Sequence, residues 1–285
     1  MAVIIGGSGG SGTRVVARVI KKLGISMSFD TNNSEDDLTF TLLLKRPYWL
    51  SENIENGEKI CKYVRILKKI HQRKRLDTKS LLNIIDAAVD VAVRGRNRRS
   101  KGDPFWAAKR LLKILVHVTN NCETHQSLGL KEPHTMLLYK QISKVLKNPI
   151  FIHVVRNGLD MAYSGNQQMM NNFGSMFGLD VDPYSSSPEN ALKFWILSNK
   201  YAIRQLQEEK DEKYLIVKFE EVCKRPYALV NEIANFLPID CPIQKRTAAK
   251  EIPQVPETIG RYKQRNYHKL LNKYENYLNS FGYFV

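Results

Sequence analysis

Two segments far apart in the sequence carry the residue types that hold anions. In AVIIGGSGGSGTRVVARVI (2–20), an apolar run passes through Gly9, Gly10, Ser11, Gly12 and Thr13 into a helical pattern that opens with Arg14. Glycines at a strand-to-helix turn let backbone N–H groups converge on a negative group, and the helix N-terminus adds its positive dipole end. In NPIFIHVVRNGLDMAYSGN (148–166), Arg156 ends an apolar strand and Ser164 follows eight residues later, inside the expected helix. A guanidinium in that place suits a phosphate. Together the segments predict anion pockets on neighbouring strand ends of one parallel sheet, as a ligand with phosphates at separated positions requires.

Other residues could act on a bound group. Lys131, Glu132 and Pro133 end a further strand pattern, LGLKEP (128–133). Lys131 reads either as a rim charge or as a cation that stabilises developing negative charge; Glu132 reads as a general base or as the ion-pair neighbour of Lys131. The acidic run Glu35, Asp36, Asp37 is either a helix start, because acids favour a first turn, or a source of the base. Asp37 is the preferred base, since its loop can reach over the anion site. His153 lies mid-strand and reads as a satisfied core histidine. His117, His125 and His134 lack metal-ligand spacing, and Cys61, Cys122, Cys223 and Cys241 form no CxxC pair, so no metal is expected and the thiols read as reduced.

The elements that must position these residues follow from periodicity and punctuation. Val16, Val19, Ile20 and Leu23 mark a first helix ended by Gly24. ISMSF (25–29) reads as a second short strand, and residues from about 38 to 125 are mostly helical and strongly basic. The α/β rhythm returns with a helix over 136–146, FIHVVR (151–156), and a helix opened by Asn157 with Asp160 in a capping-box arrangement. Ser187-Pro188-Glu189 starts a helix carrying Trp195, YLIVKF (214–219) reads as a buried strand, and helices are expected over 226–236 and 267–280.

With 285 residues, 43% of them hydrophobic, the chain can bury a substantial core. A net charge of +16 points to anionic partners: nucleotide, nucleic acid, acidic glycan or membrane surface. The N-terminus enters strand residues at once and no long apolar span follows, so a cytoplasmic protein without a membrane span is expected. The basic stretches 65–75 and 94–103 read as solvated helix faces or as the lining of a cleft for an acidic substrate. No nucleic-acid module accompanies them.

The glycine loop admits three readings. Gly7, Gly9 and Gly12 spell GxGxxG, with Asp30 near the ribose-binding position of a dinucleotide fold, but the regular βαβ units such a fold needs do not follow. A nucleoside triphosphatase or kinase would place lysine after Gly12, where Thr13 and Arg14 stand. In the third reading the chain resembles the sulfotransferases that use 3′-phosphoadenosine 5′-phosphosulfate (PAPS). The resemblance rests on SGT (11–13), on Arg156 and Ser164 in VVRNGLDMAYS, on KEP (131–133), on VKFEEV (217–222) and on GRYK (260–263). It implies an α/β domain over 1–285 with a central parallel sheet, a P-loop-NTPase-like fold and a helical, acceptor-side insertion. It further implies that the loop residues 9–14 hold the 5′-phosphosulfate and that Arg156 and Ser164 hold the 3′-phosphate, with Gly260, Arg261 and Tyr262 also at the cofactor. Lys131 then stands near the transferring sulfonate, and no metal is needed. Where many relatives carry Lys or Arg before Ser-Gly-Thr, this chain has Gly10, so Arg14 is expected to supply the cation. The acceptor, expected to carry a hydroxyl, stays open among a sugar, a lipid, a peptide tyrosine and a small hydroxylated metabolite, with the charge pointing to an anionic one such as an acidic glycan. A noncatalytic nucleic-acid binder is the remaining alternative.

Overall fold

The computed structural model describes residues 1–119, 128–182, 184–208 and 213–284. In chain order the elements begin β1 (Ala2–Gly7), α1 (Thr13–Leu23), α2 (Leu38–Leu43), α3 (Pro47–Asn53), α4 (Gly57–His71), α5 (Thr78–Arg94), α6 (Pro104–Thr119), β2 (Leu128–Lys131) and α7 (Tyr139–Val145). They continue with β3 (Ile150–Val155), α8 (Gly158–Ala162), α9 (Gln168–Phe173), α10 (Pro188–Glu208), β4 (Lys213–Lys218), α11 (Phe219–Lys224), α12 (Pro226–Phe236), α13 (Ile243–Lys250) and α14 (His268–Ser280). Cys122 and His125 lie outside the described residues.

The fold is α/β. The four strands pair in parallel in the order β2-β1-β3-β4. The chain therefore leaves β1 toward one side for β2 and returns to its other side for β3, which makes the carboxyl ends of β1 and β3 the switch point where open α/β sheets bind ligands. Side-chain alternation gives each strand two faces. Val3, Ile5, Ile152 and Val154 pack against Val16, Val19 and Ile20 of α1 and against α12 and α13. Ile4, Leu130 and Phe151 face the helical region, with Phe40, Val64, Ile84 and Ile114 in the same cluster. A third cluster, around Trp195, Leu159, Tyr274 and Leu278, seats α14 against α8 and α10.

Several expectations need correction. ISMSF forms no strand: Met27 makes one isolated bridge to Gly129. The next residues turn inward because Ser28 Oγ donates to Asp37 Oδ2 at 2.6 Å and Asp30 is buried against Arg110 and Lys113. That pairing also removes Asp30 as a ribose ligand. β4 is an edge strand rather than a buried one, with Ile216 exposed. The helix expected over 136–146 splits into a 3-10 turn at Pro133–Leu137 and α7. Ser164 lies past the end of α8, not inside it. Asn157 caps α8 by accepting from the amides of Leu159 and Asp160, but Asp160 does not reciprocate; its carboxylate accepts instead from Gly260 N at 2.8 Å and Tyr262 N at 3.3 Å. That long-range bond replaces the capping box and ties GRYK to the strand end that carries Arg156.

Candidate functional site

The loop after β1 is shaped by backbone constraints. Ser11 N donates to Ser8 O at 2.9 Å, closing a turn, and Gly12 caps α1 with φ 95°, a left-handed conformation that glycine accepts at little cost. A Cβ at Gly12 would lie 2.0 Å from the Phe219 ring, so both φ and space demand glycine there. Gly12 has no side chain to cap α1; Val15 N and Val16 N turn inward to Gly12 O, and the amides of Thr13 and Arg14 are the ones that open toward an anion. Arg14 stands exposed on that first turn. The Ser11 hydroxyl is buried and finds no partner.

Arg156 leans over this loop from the end of β3. Its Nη1 donates to Gly10 O at 3.3 Å, and its Nη2 donates to Thr258 O at 2.6 Å and Thr258 Oγ1 at 2.9 Å. Its guanidinium covers the Phe219 ring at 5.1 Å, while Asp160 is only a marginal ion-pair partner at 4.0 Å. The Arg156 Nε is buried and unpartnered. Arg261 Nε donates to the same Thr258 carbonyl at 3.1 Å, and burial together with the neighbouring Arg156 charge lowers its pKa. Two guanidiniums thus share one carbonyl, with Asp160 partly offsetting them. Ser164 lies beside the loop, its Oγ 4.0 Å from where a Cβ on Gly10 would sit, and accepts from Asn166 N at 3.2 Å. Residues 9–14, Arg156, Ser164 and Gly260 to Tyr262 are therefore brought to one place. VKFEEV explains itself structurally: Phe219 walls the loop, and Glu220 Oε1 accepts from Asn157 N at 2.9 Å.

Lys131 and Glu132 are separated by strand alternation. In register with Ile5, Lys131 turns toward the α1 side, where its ammonium bonds Ser34 O at 2.9 Å and Asp36 Oδ1. Glu132 points to the opposite side, so its expected pairing with Lys131 does not occur. Its carboxylate meets Lys45 Nζ at 3.0 Å and His134 Nδ1 at 2.9 Å, and accepts from His134 N at 2.6 Å. Asp37 is fully buried as the cap of α2: Oδ1 accepts from Phe40 N at 2.7 Å and Oδ2 from Ser28 Oγ. His71 Nε2 lies 2.8 Å from Oδ2, out of hydrogen-bonding line. Both oxygens of Asp37 are thus engaged.

His134 is the residue that the sequence reading passed over. Burial pushes the Glu132 carboxyl up, but the adjoining His134 and Lys45 more than offset this and hold it well below the usual carboxylate range. Burial lowers the His134 pKa, and Glu132 only partly opposes that. The pair is therefore a carboxylate and a neutral imidazole. An ionised Glu132 is acceptor-only, so Nδ1 must carry the proton and Nε2 bears a lone pair. That Nε2 is buried and unpartnered. The ring meets Phe173 of α9 edge-on at 5.2 Å, and Met169 of the same helix flanks Gly9. The available signal was His134 standing two places after Glu132. His153 is a core residue as expected, bonded to Tyr139 and Asn199 and pushed by burial down to about 4.

A cavity of about 1020 Å³ lies at the other end of the strands, lined by Ala2, Leu128, Ile150 and Lys213. It contains none of the predicted site residues, and its size reflects an open cleft rather than the chemistry.

A family model described as "Sulfotransferase family" matches residues 3–242. The chain belongs to the sulfotransferase family. The matched span takes in the glycine loop, Lys131 to His134, Arg156, Ser164 and VKFEEV of this sulfotransferase; GRYK lies beyond it. Among solved structures, the chain is similar to "Sulfotransferase Domain from the Curacin Biosynthetic Pathway", at 14% identity and a TM-score of 0.43, covering 95% of this chain and 96% of that one. No curated protein matches the chain.

Proposed function

We propose that this sulfotransferase, read as one domain over residues 1–285, moves a sulfuryl group from PAPS to an acceptor hydroxyl. The observation that carries the reading is the Arg156 guanidinium, held over the glycine loop with its buried Nε unsatisfied and with the partly buried Arg261 sharing its Thr258 carbonyl. Burying like charges together is costly unless an anion offsets them. The orphaned Ser11 hydroxyl and the uncapped end of α1 fit a second anionic group nearby. PAPS, when bound, supplies an activated sulfuryl group and leaves as 3′,5′-phosphoadenosine.

In this reading Arg156, Arg261 and Ser164 hold the 3′-phosphate, and the loop amides hold the 5′ end, with Arg14 as the exposed cation on that side. His134 Nε2, rather than Asp37, takes the acceptor proton as the acceptor oxygen bonds to sulfur and the sulfur–phosphate oxygen bond breaks. Glu132 and Lys45 keep the imidazole in the proton-accepting tautomer. Lys131 and Asp36 take a positioning role by fixing the 31–37 loop against β2. The +16 charge favours an anionic acceptor, such as an acidic glycan.

Calorimetry tests the donor assignment. A charge-assisted contact contributes about 1.5 to 3 kcal/mol, so Arg156→Ala should weaken 3′,5′-phosphoadenosine at least about tenfold and leave 5′-AMP nearly unchanged. Equal affinity of the unaltered protein for both nucleotides overturns it.

A further inference from the structure

The helical hairpin α5–α6 is apolar on the wrong side. Its inward face is already satisfied: Ile84, Ala87, Ala88 and Val91 of α5, and Ala107 and Ile114 of α6, lie in the core. Yet Leu82, Ile85, Val89 and Val93 recur at helical spacing on the outward face of α5, and Phe105, Leu112, Leu115 and Val116 do the same on α6. Val93 is 70% exposed, Leu112 62% and Phe105 88%. Among the described residues, eight of the eighteen exposed large hydrophobic ones fall within these 35 positions, 82–116. Scattered exposed apolar residues are ordinary; a continuous crest over two packed helices is not.

Charge identifies what meets the crest. Residues 73–113 hold twelve Lys and Arg against four Asp and no Glu, a net +8, which is half the charge of the whole chain in 41 positions. Lys79, Arg94, Arg99, Lys101 and Lys109 are exposed around the apolar residues. We propose that the outward face of α5–α6 docks on an anionic lipid bilayer, the apolar side chains entering the headgroup boundary and the basic rim meeting lipid phosphates. An apolar face edged with Lys and Arg binds a membrane interface through these two contributions together. A second copy on the same face would bring two +8 hairpins together, with repulsion opposing the apolar contact. Docking is peripheral, since no described helix is long and apolar enough to cross a membrane.

The hairpin is mounted rigidly enough to orient the molecule. Arg110 and Lys113 clamp α6 onto buried Asp30, with Arg110 Nη1 at 2.5 Å and Lys113 Nζ at 2.7 Å. Arg98, in the turn between the helices, donates its amide to Asn172 Oδ1 and its Nε to Asn172 O, both at 3.0 Å. Asn172 belongs to α9, the helix that borders the glycine loop, so a docked hairpin holds the candidate site at a fixed attitude to the bilayer. This inference does not depend on the donor assignment.

The test is flotation of the full chain with vesicles of phosphatidylcholine alone and of phosphatidylcholine with phosphatidylglycerol. The protein should float with the anionic vesicles and much less with the neutral ones. Val89→Glu/Leu112→Glu should weaken partitioning by about tenfold or more, and Lys79→Glu/Lys109→Glu should weaken it as well. Thermal melting checks that these surface variants fold, and Val89→Ser/Leu112→Ser serves if the glutamates do not. Three results overturn the inference: no flotation with anionic vesicles, flotation indifferent to the apolar substitutions, or a light-scattering dimer of the unaltered chain that those substitutions dissolve.

Discussion

At the scale of single residues, the bare Nε2 of His134 sets the sharpest expectation. Removing a general base costs about 10² to 10⁴ in rate, so His134→Gln should lose turnover on that scale while keeping its affinity for 3′,5′-phosphoadenosine. Glu132→Gln tests the positioning role. A carboxylate beside an imidazole favours the protonated ring, so removing its charge should move the acid limb of the pH–rate profile to lower pH. Purely structural damage would leave that limb in place. Asp37 should behave differently. Because it caps α2 and accepts from Ser28, Asp37→Ala should cost stability, about 1 kcal/mol for the cap alone, with the surviving folded protein still turning over. A collapsed rate at full stability would return the base to Asp37.

At the scale of elements, the close approach of Gly12 to Phe219 braces the junction of β1 and α1. Gly12→Ala requires a non-glycine residue at φ 95° and a Cβ inside the ring. Strain and overpacking of this kind cost on the order of 1 to 3 kcal/mol each, so urea unfolding should show a loss in that range or above. The same substitution should weaken nucleotide binding, because the ring that must move also lies under the Arg156 guanidinium. Normal stability and affinity in Gly12→Ala would show that β4 and α11 do not brace the loop.

At the scale of the whole molecule, the interior is sensitive to acid through His153, whose imidazole is bonded to Tyr139 of α7 and Asn199 of α10. Burial lowers it to about 4, against an ordinary value near 6.5. The unfolded chain therefore takes up its proton first as pH falls. The stabilisation is complete above about pH 6.5 and is lost as pH drops toward 4, by up to about 3 kcal/mol. Denaturant titrations at pH 7, 6 and 5 should show this decline, and His153→Gln should flatten it; an unchanged slope assigns the acid sensitivity to other groups.

Much of the architecture was legible because its signals are local. Gly24 ends α1 and Asn157 opens α8 through bonds made within a few residues, and Pro226 starts α12 through its fixed φ. The glycine loop and Arg156 were readable for the same reason: each adjoins the strand that delivers it. Partners across the chain were not readable. Lys131 and Glu132 are neighbours in sequence, yet a pleated strand sends them to opposite faces, one to Asp36 and the other to Lys45 and His134. Asp160 looked like a local cap and reaches Gly260, 100 positions away. ISMSF carries strand-forming residues, but Ser28 and Asp30 take inward partners that end its pairing. By itself the sequence determined the helix starts and stops marked by Gly, Pro and Asn and which residues can hold an anion, since both follow from backbone sterics and side-chain chemistry. The tertiary structure decided which charges neutralise one another, which imidazole keeps a free lone pair, and which apolar face is left to solvent. Those depend on which groups meet in space, and the desolvation and Coulomb energies that set protonation and docking arise only there.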